Sequence, residues 1–227
     1  MDTLLIDVLG YLSEFLESDK DKCKFLMTCK YISQCPIYFR ETFELEKIEK
    51  SQWFNYFTDV IVSSTKIPLP FYCKILTFDD LFNESIDGYI TSPITHLDFG
   101  RNFNQSVKGC IPNSVIYLTF GEKFDQSIED SIPSSVIDLA FGDYFNQSVT
   151  GNIPTSITCL TFGYSFNIFK TNIIPSSVEN LILYGGFMKG AIGLIKKNIS
   201  GSNTKIFMPD NRSFGGITKI DNIHDYC

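Results

Sequence analysis

The sequence predicts an α+β repeat protein, a short N-terminal helical module followed by a solenoid with one parallel strand per 21-residue coil. Two patterns carry the prediction. A set of residue types recurs at a fixed step of 21 through most of the chain, whereas residues 1–50 show helical spacing instead. Composition agrees: 227 residues, 44% hydrophobic and 20% charged, are globular rather than disordered.

The repeat is read most easily from leucine. Leu76, Leu97, Leu118, Leu139, Leu160 and Leu181 lie 21 apart. Each is followed two residues later by Phe78, Phe99, Phe120, Phe141, Phe162 or Leu183. Gly100, Gly121, Gly142 and Gly163 come next, then a second aromatic column, Phe82, Phe103, Phe124, Phe145 and Phe166. Asn83, Asn104, Asp125, Asn146 and Asn167 follow it directly. Ile86, Val107, Ile128 and Val149 come after, then Ile-Pro at 111–112, 132–133, 153–154 and 174–175. Val115, Val136, Ile157 and Val178 close the unit. Self-similarity of this kind is the mark of stacked coils.

The spacing has a physical reading. Val115-x-x-Leu118-x-Phe120 ends in the alternation of a short strand with one buried face. Stacked strands about 4.8 Å apart make six copies a ladder roughly 24 Å long. The second Phe, the Ile or Val and the Ile before Pro fill the coil, each Phe contributing about 1.5–3 kcal/mol. Gly lets the chain turn where a side chain would obstruct it. Pro stiffens the returning limb and limits rival conformations. The Asn column is expected to bond backbone groups of neighbouring coils. Asp125 can accept such bonds but lacks an amide donor.

This pattern resembles the leucine-rich repeat, with Asn arriving five residues after the last strand position instead of three. More closely, Phe99-Gly100-x-x-Phe103-Asn104-Gln105-Ser106 and Phe141-Gly142-x-x-Phe145-Asn146-Gln147-Ser148, with Ile-Pro further on, look like the FNIP repeat family. That family occurs in amoebae and in giant viruses that infect them, and is regarded as related to leucine-rich repeats. The copy Phe120-Gly121-x-x-Phe124-Asp125-Gln126-Ser127 differs at one position. The first copy has Asp79 for Gly and no Pro after Ile90, and the fifth has Ile168 and Phe169 for Gln and Ser.

The N-terminal segment is different. Leu5, Val8, Leu9, Leu12, Phe15 and Leu16 form one apolar stripe at helical spacing. Asp19 or Asp21 can cap a second helix with Phe25, Leu26, Cys29, Tyr31 and Ile32, and a third helical stretch is expected over 37–51. Trp53, Phe54, Tyr56 and Phe57 are expected to pack on the first coil. Leu5-Ile6-Asp7-Val8-Leu9 and Met27-Thr28-Cys29-Lys30-Tyr31-Ile32 resemble the opening and closing motifs of an F-box, with Ile6 where Pro is usual and Tyr31 at or beside the Trp position. The resemblance implies a Skp-type adaptor of a cullin–RING ubiquitin ligase as partner. Its apolar contacts would be Leu5, Ile6, Leu9, Leu12, Leu16, Phe25 and Cys29, with Lys30 and Tyr31 at the edge. The competing reading is a helical cap with no ubiquitin role.

The expected organisation is therefore an F-box-like module over 1–50, a linker or cap over 51–73, repeats over 74–184, and degenerate repeats with a C-terminal cap over 185–227. Lys205-Ile206-Phe207-Met208 and Gly216-Ile217-Thr218-Lys219-Ile220 are candidate extra strands.

Chemistry is sparse. No phosphate loop, dinucleotide fingerprint, zinc-protease helix or nucleophile elbow occurs. Two histidines, His96 and His224, leave little material for a triad, so no catalytic, cofactor-binding or metal-binding residue is expected and the protein is read as no enzyme. The net charge of −7 disfavours nucleic acid and anionic membranes, and no apolar run reaches membrane-spanning length. Seven cysteines without a CxxC pair or a signal peptide read as reduced thiols in a cytoplasmic protein, in host cytoplasm if the chain is viral. A zinc site from Cys23, Cys29 and Cys35 is disfavoured by its spacing. The outward positions of the coils carry His96, Asp98, Arg101, Tyr117, Thr119, Glu122, Lys123, Asp138, Asp143, Tyr144 and Tyr164, with Glu179 beyond. A face mixing Tyr, acids and cations suits recognition of a target protein.

Overall fold

The computed structural model describes residues 42–52, 54–91, 93–168, 174–185 and 204–209, together with Asp21, which is helical. The F-box-like motifs and the candidate strand at 216–220 lie outside the described residues.

Among the described residues, nine strands form one parallel sheet in strict chain order. They are β1 (Phe43–Glu44), β2 (Asp59–Val62), β3 (Ile75–Phe78), β4 (His96–Asp98), β5 (Tyr117–Thr119), β6 (Asp138–Ala140), β7 (Cys159–Phe162), β8 (Asn180–Leu183) and β9 (Lys205–Phe207). From β3 to β8 the register aligns Leu76, Leu97, Leu118, Leu139, Leu160 and Leu181 as direct neighbours. The repeat in the sequence is thus the repeat of the sheet.

The described part of the chain has little helix, namely α1 (Leu45–Ile48) and a 3-10 turn at Phe54–Tyr56. The solenoid of the expected fold is thus present, while the helical module expected at the N-terminus falls mostly outside the described residues. Where described, the helical stretch expected over 37–51 is the edge strand β1 followed by the single turn α1. Phe43 pairs with Val60 along β2, while α1 buries Leu45 and Ile48 against the coil core. Parallel pairing with a strand further along the chain satisfies the backbone there, and local periodicity does not register it. The sheet also starts earlier than the 21-residue series. Val60 pairs with Leu76, so β2 belongs to a shorter coil, and Phe57 is buried with Phe54 and Tyr56 packed beside it.

Within a coil, the inward residues do what their columns suggest. Val115, Leu118, Phe120, Phe124 and Ile128 are all buried in the second full unit, and their equivalents join the same continuous core. Phe78, Phe99, Phe120, Phe141 and Phe162 stack with centroids 5.2–5.4 Å apart and planes 4–6° from parallel. The second column, Phe82 to Phe166, steps at 6.0–6.2 Å. The two columns touch inside each coil at 3.7–4.3 Å. Ring separations wider than the strand spacing of about 4.8 Å place the rings in offset stacks, the geometry their quadrupoles favour.

The turn after each strand is set by backbone crowding. A Cβ on Gly100, Gly121, Gly142 or Gly163 would come closer than 3.0 Å to the carbonyl of Asp79, Gly100, Gly121 or Gly142 in the preceding coil. Asp79 opens this column; its Oδ1 accepts a bond from the Leu81 amide at 2.8 Å. On the far side of the coil, Gly88, Gly109 and Gly151 have positive φ, and Asp130 adopts φ 52° in the same column. The Ile-Pro step builds a turn in which Val115, Val136, Ile157 and Val178 donate their amides to Pro112, Pro133, Pro154 and Pro175.

The asparagine column works through its oxygens. Asn83 Oδ1 accepts from the Asn104 amide at 2.8 Å and from Gln105 Nε2 at 3.2 Å. Asn104 Oδ1 accepts from the Asp125 amide and Gln126 Nε2, both at 3.0 Å. Asp125 Oδ1 accepts from the Asn146 amide at 2.9 Å and Gln147 Nε2 at 3.0 Å. These are acceptor bonds, so the missing amide donor of Asp125 costs the ladder nothing here. A second polar column was not anticipated: Ser135 and Ser156 hydroxyls donate to the Val115 and Val136 carbonyls at 2.7 Å.

Two outcomes follow for stability. Gly121→Ala should lower unfolding free energy by about 3 kcal/mol or more, because the obstacle is backbone and cannot rotate away; urea titration with a native-like m-value checks it. Asn104→Asp should be close to neutral, as Asp125 is at the equivalent position, whereas Asn104→Leu should cost about 2 kcal/mol by leaving two donors unpaired; thermal melts of the pair separate the cases.

Candidate recognition face

Every strand turns alternate residues away from the coil core. Flanking the buried leucines, the first outward column reads His96, Tyr117, Asp138, Cys159 and Asn180. The second reads Asp98, Thr119, Ala140, Thr161 and Ile182. Just past the strands lies a row of coil tips, tied by backbone bonds from Asn102 to Asp80, Lys123 to Arg101, Tyr144 to Glu122 and Ser165 to Asp143, at 2.7–3.0 Å. Short parallel strands with a common register bring all three rows onto one side of the molecule.

At β4 and β5 this face is half-open. The His96 ring stacks on Tyr117 at 4.4 Å and 18°, and the Thr95 hydroxyl lies 2.9 Å from His96 Nδ1. Asp98 and Thr119 are half-buried beside them. Burial, with the Asp80 carboxylate nearby, pushes Asp98 up to about 7. In the tip row, Arg101 Nε meets Glu122 Oε2 at 2.7 Å, and Lys123 is exposed. Tyr144 and Tyr164 are 52% and 62% exposed, large rings available for contact.

At β6 to β8 the same columns are covered except at Asn180, which is half-buried. Asp138, Ala140, Cys159, Thr161 and Ile182 are all buried, and so is Asp143 in the tip row. Ala140, Cys159, Ile182 and Tyr184 form an apolar cluster separate from the coil core, with Phe207 packed against it. The structure therefore groups His96, Asp98, Arg101, Tyr117, Thr119, Glu122 and Lys123 in one patch and sets Asp138 and Asp143 in a buried environment. The signal for the second cluster was present in the sequence, since outward positions polar in β4 and β5 become Ala140, Cys159 and Ile182 further along.

Cysteine chemistry also departs from the expectation of seven reduced thiols. Cys159 is disulfide-bonded. Cys73 and Cys110 are free, and burial together with the Asp59 carboxylate pushes the Cys73 thiol up to about 12, leaving it unreactive. Among the described residues, no three His, Cys, Asp or Glu side chains gather as metal ligands would, and no helix is long and apolar enough to cross a membrane.

The geometry defines a leucine-rich-repeat-like parallel β-solenoid, a repeat scaffold of the kind that presents a broad face to protein partners. Within it, residues 82–123, 103–144, 124–159 and 145–185 match the FNIP repeat. Among solved structures, the chain is similar to CroV588, described as a novel circular LRR protein structure, with TM-score 0.54 and 29% identity over 69% of this chain. The match spans 24% of that longer chain. No curated protein matches the chain.

The state of Asp98 makes stability pH-dependent in a defined direction. A carboxyl whose folded value of about 7 exceeds its usual 3.8 binds its proton more tightly in the folded protein, so stability falls as pH rises from about 4 to 7. Asp98→Asn should remove this slope. Its melting temperature should pull ahead of the unsubstituted protein between pH 5 and pH 8, and a constant difference across that range would contradict the assignment.

Proposed function

We propose that the protein is a non-enzymatic substrate receptor. The repeat face would bind a target protein, and residues near 1–40 would dock a Skp-type adaptor of a cullin–RING ubiquitin ligase. The observation that carries the recognition half is the half-open patch of His96, Asp98, Arg101, Tyr117, Thr119, Glu122 and Lys123, flanked by the exposed Tyr144 and Tyr164. It combines aromatic surface with charges of both signs on hydrogen-bonded strands and coil tips, the makeup of a specific protein-binding site. The adaptor half rests on the F-box-like residues Leu5, Ile6, Leu9, Leu12, Leu16, Phe25, Cys29, Lys30 and Tyr31. Such a role places the protein in the cytoplasm, in a host's if the chain is viral, with no cofactor.

A second reading keeps the recognition face and drops the ubiquitin role, with the N-terminal helices acting as a cap. It is favoured by α1, whose Leu45 and Ile48 are packed into the coil core rather than held for a partner.

Calorimetry with a purified Skp-type adaptor separates the two. Under the first reading the full chain binds, and Leu9→Asp with Leu12→Asp abolishes binding while the circular dichroism of the repeats persists. Absence of binding by a folded full-length chain leaves the capped scaffold. Removal of residues 1–40 then lowers the melting temperature, because a coil end loses its cover.

A further inference from the structure

The polar ladder on the flank of the coils holds more hydrogen-bonding capacity than the fold consumes. Asn104, Asp125, Gln105, Gln126 and Gln147 are half-buried there, and Asn83, Asn146, Ser106, Ser127 and Ser148 are exposed. Each glutamine spends one Nε2 hydrogen on the Oδ1 of the coil before it, at 3.0–3.2 Å. Asp125 fixes the sense of these amides, because a carboxylate only accepts and Gln147 must turn its nitrogen toward it. The glutamine Oε1 is left on the other arm of the planar amide. Among the described residues, nothing donates to Oε1 of Gln105, Gln126 or Gln147, and nothing accepts from Nδ2 of Asn83, Asn104 or Asn146. Ser106 and Ser127 accept from the Lys108 and Glu129 amides and keep a hydroxyl hydrogen to donate.

We propose that this flank binds a neutral, extended polysaccharide laid along the solenoid axis, with sugar hydroxyls on the glutamine oxygens, the asparagine amides and the serines. The spare groups are uncharged except at Asp125, which has Lys123 two residues before it, so the strip suits a ligand without net charge. A sugar hydroxyl both donates and accepts, as the pairing of a free Oε1 with a free Nδ2 requires. Each coil repeats the set about 4.8 Å beyond the last, so a chain of identical units makes the contact on several coils, whereas a single sugar makes it once. Exposed apolar groups border the strip two residues before its asparagines: Leu81 by Asn83 and Tyr144 by Asn146, 80% and 52% exposed. The ring of Tyr144 offers the flat, amphipathic surface that the C–H face of a pyranose packs against.

The ladder also supplies the pre-organisation that such a site needs. A hydroxyl that exchanges water for a protein amide gains little net free energy. Side chains already held in place bind at a lower cost in lost freedom, and Gln105, Gln126 and Gln147 are tied at Nε2 before any ligand arrives. The glutamine column stops at Ile168, which is buried, so its length is set by these coils. Binding should strengthen with oligosaccharide length until the column is covered, then level off. The inference does not rest on the target-protein reading, whose patch uses the outward strand columns; only Tyr144 borders both surfaces.

The test titrates the full chain with cellohexaose, chitohexaose and mannohexaose, three neutral chains with extended backbones, with the disaccharide of each, and with maltohexaose, whose backbone coils. Binding is read from the side-chain amide signals in nitrogen-correlated NMR spectra. At least one extended hexaose should shift the signals of Gln105, Gln126 and Gln147, and bind about tenfold or more tightly than its disaccharide. Gln126→Met combined with Gln147→Met should weaken that binding several-fold with the circular dichroism unchanged, because the Asn104 and Asp125 oxygens keep their backbone amide partners. Tyr144→Ala should also weaken it, and Ser134→Ala on the Ile-Pro turn should not. Absence of shifts with all three extended hexaoses would overturn the proposal. So would shifts confined to residues outside the strip, a hexaose no tighter than its disaccharide, or equal binding of maltohexaose. Each of those failures leaves the target-protein reading standing, since its patch lies on β4, β5 and the coil tips.

Discussion

Everything in this molecule depends on successive coils approaching one another at the spacing of hydrogen-bonded strands, about 4.8 Å. That distance leaves no room for a Cβ where Gly100, Gly121, Gly142 and Gly163 cross the carbonyls of the coil before. It also turns every inward phenylalanine into the neighbour of its own equivalent. The rings at 78, 99, 120, 141 and 162 stack because the strands that carry them are paired, and each pair of strands is held in register by the rings beneath. Sheet hydrogen bonds and aromatic packing are one interaction seen from two sides.

The polar ladder follows from the same translation. An oxygen at position 83, 104 or 125 meets the amide of the next coil at a fixed offset, so the requirement is for an acceptor at the right height, and Asn or Asp meets it equally. Stability in such a stack accumulates between neighbours, which explains how the repeat tolerates Asp79, Asp125 and Asp130 at positions where other copies carry Gly or Asn. What a coil must keep is its contacts with the coils on either side.

Function rides on what this construction leaves over. The inward columns are committed to packing and the tips to backbone bonds, so the outward side chains are the part free to vary without disturbing the stack. His96, Tyr117, Asp98 and Thr119 form a half-open surface there, whereas Asp138, Cys159 and Ile182 in the same columns form a buried one. The solenoid thus has one face with two environments, and the transition falls between β5 and β6.

The coil core was legible in the amino-acid order because a short repeat stacks in register: Leu118 touches Leu97 and Leu139, and the period that relates them is also the period of the sheet. Periodicity therefore determined the inward columns, the glycine turns, the Ile-Pro returns and the identity of the outward rows. It did not reveal β2, which begins a coil shorter than 21 residues, nor β1 at Phe43–Glu44 within a helical pattern. Nor did it reveal which outward residues are covered, or that Cys159 is bonded. Those features depend on contacts between segments unrelated by the repeat, and only the folded chain, by bringing them together in space, decided them.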